Sequence, residues 1–152
     1  MTTWLTLDSF RELCFELAAQ AHWVTEEPIP NFDTRYPGRL ESCLETPRQV
    51  FGGQPLYPTL IDQAAILFYL LNKDHPFVNG NKRIALTALL VFLFLNGKWI
   101  TALQDELYEF AIGVASSAAA DKDHVVEKTK RFLATRAIDL RPHMSSFAVW
   151  GM

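Results

Sequence analysis

Residues 75–97 read HPFVNGNKRIALTALLVFLFLNG, and the change of character inside this stretch decides the fold. From Ile84 to Leu95 nearly every side chain is apolar, which predicts a helix over 81–96 buried on all its faces rather than a two-faced surface helix. Asn96-Gly97 closes it, because glycine readily takes the left-handed conformation in which helices end. The apolar run falls short of the roughly 18–20 residues needed to cross a bilayer, so its place is the centre of a helical bundle.

Working outward, Leu60, Ala64, Leu67, Phe68 and Leu71 recur at helical spacing and predict a helix over Thr59–Asn72. Phe10, Leu13, Cys14, Leu17, Ala18 and Ala21 do the same over residues 8–24, with Asp8 or Ser9 as the cap. Between these two, Pro28, Pro30 and Pro37 mark a surface loop from Thr25 to Gly38, and a short helix follows from Arg39 to Thr46, stopped by Pro47. Gly52, Gly53, Pro55 and Pro58 break the chain again and leave room for a small hairpin near Gly53. Downstream, helices are expected over Leu103–Ser116, with Leu107, Phe110, Ala111 and Val114 inward, and over Asp123–Ile138, with Val126, Leu133 and the stem of Lys130 packed on them. The tail from Asp139 carries no clear signal. The fold class is therefore all-α, a helical bundle forming one domain over residues 1–152.

With 49% apolar residues, 152 residues are enough for one buried core. The formal net charge of −3 lacks the basic excess that a phosphate backbone demands, so no direct nucleic-acid partner is expected. No membrane partner is expected either. Met1-Thr2-Thr3-Trp4 has neither a basic nor an apolar leader region, and the expectation is a cytoplasmic protein. Cys14 and Cys43 lack CxxC or Cys/His spacing and read as small buried side chains.

The chemistry concentrates in residues 75–83. Helix N-termini favour negative charge, yet Lys82 and Arg83 occupy the first turn here, each costing about 0.3–1 kcal/mol. A phosphate would meet the free N–H groups, the helix dipole and both cations together, and Gly80, having no Cβ, lets backbone approach it closely. Arg83 can grip two oxygens with its planar fork, while Lys82 supplies a mobile point charge. Stray surface cations are the plainer alternative. His75, five residues before the cradle, is the natural general base for a hydroxyl attacking phosphorus. Phe77 reads as a structural plug that fixes the loop.

His-Pro-Phe-Val-Asn-Gly-Asn-Lys-Arg resembles the signature of the Fic/Doc family, which runs His, any, Phe, any, Asp or Glu, Gly or Ala, Asn, Gly or Lys, Arg; eight of the nine positions agree. Gly38-Arg39-Leu40-Glu41-Ser42, Phe51-Gly52-Gly53 with Tyr57-Pro58, and Phe94-Leu95-Asn96-Gly97 extend the likeness to the Doc-like branch over about residues 35–100. The resemblance implies an α-helical fold that holds ATP and Mg²⁺ at the motif. It makes His75 the general base, Lys82 and Arg83 phosphate contacts, and Gly80 and Asn81 supports of the anion site. Lys82 is the Doc-like variant, and Doc-like toxins phosphorylate elongation factor Tu; members that transfer AMP usually carry glycine there.

Gln54, Leu56 and Tyr57 correspond to the family's flap, a hairpin edge that pairs with the target's backbone. Family members that restrain themselves carry a Ser/Thr-x-x-x-Glu-Gly/Asn helix, and this sequence has none, which implies a separate antitoxin of the Phd type. One departure stands out: Asn79 occupies the position of the Asp or Glu that holds Mg²⁺, and offers only a neutral oxygen. Asp74 is a poor substitute because neighbouring loop side chains point apart, and it is expected to be exposed. Two alternatives to phosphoryl transfer stay open: AMP transfer to a protein hydroxyl, and a lapsed enzyme that keeps only nucleotide or partner binding.

Overall fold

The computed structural model describes residues 1–20, 32, 38–77 and 79–140. Helix α1 spans residues 7–20. Its cap is Thr6 rather than Asp8 or Ser9: Thr6 Oγ1 accepts the Ser9 N–H at 3.1 Å, and Ser9 Oγ accepts the Thr6 N–H at 2.8 Å. After the α-helical turn Leu7–Ser9 the helix widens into π-helical geometry over Phe10–Phe15 and returns to α over Glu16–Gln20. The wide stretch places Phe10, Cys14 and Phe15 in the core. Residues 21–24, where the sequence pattern extends this helix, and most of the expected 25–38 loop lie outside the described residues.

Helix α2 (Arg39–Glu45) runs into a 3₁₀ turn, Thr46–Arg48, around Pro47. Strands β1 (Val50–Phe51) and β2 (Gln54–Pro55) pair antiparallel as the small hairpin expected near Gly53. Gly52 and Gly53, at φ 57° and 79°, form its two-residue turn, which requires two left-handed positions in succession. Helix α3 (Leu60–Lys73) starts at a reciprocal cap between Thr59 and Asp62, and helix α4 covers Asn81–Leu95. Strand β3 (Lys98–Ile100), helices α5 (Gln104–Ser116) and α6 (Lys122–Arg136), and strand β4 (Ala137–Asp139) complete the described chain.

α4 packs along α3, with α5 and α6 closing around the pair. Ile84, Ala85, Leu86, Ala88, Leu89, Phe92 and Leu93 are buried, but the expectation of burial on every face fails at the far end: Phe94 is 55% exposed and Leu95 36%. Together with Leu13 and Leu17 of α1 and Trp99 of β3 they line an apolar groove on the surface. The α6 prediction is corrected as well. The helix stops at Arg136, and residues 137–139 pair with β3 in the register Ala137 with Ile100, Ile138 with Trp99 and Asp139 with Lys98. Two three-residue strands so far apart in sequence leave no alternation to read. Among the described residues no helix is long and apolar enough to cross a membrane.

α6 packs on α3 and is tied to it by charge as well. Lys130 Nζ lies 3.2 Å from Asp62 and 2.9 Å from Glu127. Partial burial disfavours the Asp62 carboxylate, but hydrogen bonds from Thr59 and Lys130 outweigh it and hold its pKa below the ordinary value. A depressed carboxyl pKa stabilises the fold above the unfolded value, near 3.9, and that contribution is lost as pH falls through the folded value. Urea unfolding followed from pH 6 to pH 2.5 is expected to show a shallower acid loss of stability for Asp62→Asn than for the native chain.

Candidate functional site

The loop between α3 and α4 carries the motif, and its path is fixed at three points. At the first, the Asp74 N–H donates to the Leu70 C=O at 2.8 Å and ends α3. The next residue, His75, stands at φ 46°, a left-handed conformation that costs a non-glycine residue of order 1–3 kcal/mol, and it is exposed. At the second, Phe77 is sunk into the core, 3% exposed, with its ring 5.9 Å from Phe10, 5.4 Å from Phe15 and 5.5 Å from Phe32. The expected plug is therefore present. At the third, the Asn81 side chain grips Phe77's backbone from both sides: Oδ1 accepts its N–H at 3.0 Å and Nδ2 donates to its C=O at 2.9 Å.

Gly80 is the N-cap of α4, at φ 76°, and offers no side chain to the first turn. Its C=O accepts the Ile84 N–H at 2.9 Å, while the first turn holds no acidic residue. Lys82 is half-buried. Arg83 is only 4% exposed, which removes it from the class of stray surface cations. The exposed histidine thus lies on the short loop that leads into an acid-free helix N-terminus carrying both cations, and an anion placed at that N-terminus would meet positive charge and backbone donors together.

The Asn81 side chain makes its hydrogen bonds within the loop. Its amide is engaged in shaping the loop, so its observed contact is with Phe77. Asn79 Oδ1 accepts the Gly80 N–H at 2.7 Å. Asp74 departs from its expected exposure: it is half-buried, and its Oδ2 faces the Cys43 thiol at 3.6 Å. Among the described residues no three His, Cys, Asp or Glu side chains converge as a metal site. Burial pushes the Cys14 thiol up to about 12, and burial with the Asp74 carboxylate raises Cys43 too, so both stay protonated at neutral pH.

On the hairpin, Gln54 and Leu56 are exposed and Tyr57 is partly covered. The Leu56 N–H donates to the Gln49 C=O at 3.0 Å, and Gln63 Nε2 holds the Tyr57 C=O at 2.9 Å. The sequence reading did not assign Val50 and Phe51 to the flap, and they are 63% and 78% exposed on the same hairpin. Two adjacent apolar side chains leading into a Gly-Gly turn on a short exposed strand are the signal that would have found them.

The family model for the Fic/DOC family matches residues 4–93, from the start of the described core through the hairpin and the loop to α4. The chain belongs to the Fic/Doc family. Toxin Doc of Mycolicibacterium smegmatis (strain ATCC 700084 / mc(2)155) is 32% identical over 98 residues, 64% of this chain and 75% of that protein. No solved structure matches. Fic/Doc proteins are typically nucleotide-using transferases that act on proteins, and the helical architecture seen here is of the Fic/Doc type. α5, α6 and the β3–β4 pair lie beyond the matched Fic/Doc region.

Since Phe77 anchors the loop to the core, Phe77→Ala is expected to lower unfolding stability by about 3–5 kcal/mol in urea denaturation. Asn81→Ala is expected to cost less, about 1–3 kcal/mol, for its two hydrogen bonds to Phe77.

Proposed function

We propose that this chain is a Doc-like toxin that transfers the γ-phosphoryl group of ATP to a Ser or Thr hydroxyl of a target protein. Elongation factor Tu is the proposed target. The observation that carries the reading is the placing of an exposed, left-handed His75 on the loop that ends in the cation-bearing, acid-free N-terminus of α4. Similarity to Toxin Doc, and lysine rather than glycine at position 82, favour phosphoryl transfer over AMP transfer.

In this mechanism the nucleotide's phosphates lie at the α4 N-terminus against Gly80, Lys82 and Arg83. His75 accepts the proton of the target hydroxyl as its oxygen bonds to the γ-phosphorus and the bond to the ADP oxygen breaks. Lys82 and Arg83 stabilise the charge on the transferring group, and Arg83's burial strengthens its field because little water screens it. The hairpin residues Gln54, Leu56 and Tyr57 present an exposed edge for the target's backbone, with Val50 and Phe51 as additional apolar contacts. An antitoxin of the Phd type is the proposed second partner.

The protein-side donors do not suit Mg²⁺, which prefers carboxylates: Asn79 brings a neutral amide whose oxygen already accepts from Gly80. No step is assigned to the ion. That same hydrogen bond favours one competing reading, a nucleotide-binding module that has lost turnover.

Bacterial lysate incubated with α- or γ-labelled ATP is expected to yield γ-labelled protein with the native chain and at least about 100-fold less with His75→Ala. Label from the α-phosphate would instead assign AMP transfer. Transfer seen only after Asn79→Asp would assign the lapsed module.

A further inference from the structure

We propose that Arg39 and Cys43, on one face of α2, are positioning residues that hold Asp74 and thereby lock His75 in its left-handed conformation. Arg39 Nη1 donates to the Asp74 C=O at 2.8 Å, and the Cys43 thiol lies 3.6 Å from Asp74 Oδ2. The two side chains are four residues apart, the spacing that brings them onto the same side of a helix. Both engage the residue immediately before His75.

The geometry explains why the carbonyl matters. The Asp74 C=O and the His75 N–H belong to one rigid planar peptide unit, so gripping that oxygen fixes the plane from which His75's φ is set. At φ 46° His75 would relax to a negative angle if the plane were free to turn, and a strained backbone persists only where its surroundings over-determine it. On the other side of His75, Phe77 and Asn81 fix the loop to the core and to α4. α2 supplies the missing hold on the near side.

Cys43 suits the task because it is fully buried and stays a thiol. Burial first, and the adjacent Asp74 carboxylate second, raise its pKa far above the ordinary range, so the S–H remains available as a donor. The contact also turns the Asp74 carboxylate toward α2. Arg39 and Cys43 act on His75 through Asp74.

As a statement about catalysis this rests on His75 being the general base; as a statement about the His75 backbone it does not. The experiment therefore has two arms, a transfer assay and NMR, on four variants of the full chain: Arg39→Met, which keeps the stem and removes the donor, Cys43→Ala, the double variant, and Cys43→Ser, which restores a donor. In the transfer assay, kcat is expected to fall about 10–100-fold in the double variant while KM for ATP stays within about two-fold, because the α4 N-terminus is untouched. Cys43→Ser is expected to recover activity relative to Cys43→Ala. In NMR, the Cα and Cβ shifts of His75 are expected to report a left-handed backbone in the native chain and a negative φ in the double variant. A double variant whose His75 stays left-handed overturns the proposal, as does one whose KM rises in step with any loss of kcat. If native protein shows no His75-dependent transfer, the functional reading falls, and the NMR arm alone decides whether α2 holds the loop.

Discussion

Burial of the Phe77 ring is the constraint from which the site follows. A phenyl ring lodged among Phe10, Phe15 and Phe32 couples the loop to α1 and to the core, and the two hydrogen bonds from Asn81 couple the same residue to the first turn of α4. With the middle of the loop held this firmly, the residues on either side have little freedom. Gly80 is left-handed where α4 starts, and His75 is left-handed where the chain leaves α3. Two unusual backbone positions five residues apart are thus two ends of a single anchored segment.

The electrostatics build on that anchoring. An N-terminus without an acid, with Arg83 nearly removed from solvent, is a poor choice for stability and a good one for an anion. Asn79 takes part in this arrangement through its own backbone neighbour, Gly80, and contributes no charge. The cations of the first α4 turn, Lys82 and Arg83, therefore face no acidic residue within that turn. Proteins accept such local costs where a ligand compensates them, and much else among the described residues is conventional: the reciprocal cap of α3, the Lys130–Asp62 ion pair, and a core of aliphatic and aromatic side chains.

Much of the helical order was legible because its signals are local. The spacing of Leu60, Ala64, Leu67, Phe68 and Leu71 marks α3 to within a residue, Asn96-Gly97 marks the end of α4, and Gly52-Gly53 marks the hairpin turn. The candidate site is compact in the sequence, since His75, Gly80, Lys82 and Arg83 sit within nine residues of chain. Composition did not reveal allegiance. Asn81 has the same amide whether it faces a phosphate or Phe77, and Asp74 has the same carboxylate whether it faces water or Cys43; only packing distinguishes these.

By itself, then, the sequence determined which segments are helical, that α4 is too apolar to sit outside, and that an anion-friendly motif opens it, because periodicity, capping and charge near a helix end act over a few residues. Tertiary structure decided what lies far apart along the chain. It paired residues 98–100 with 137–139, left Phe94 and Leu95 facing a groove with Leu13 and Leu17, and brought Arg39 and Cys43 against Asp74. Such contacts depend on how helices cross once the core has closed, and no short window of sequence carries that information.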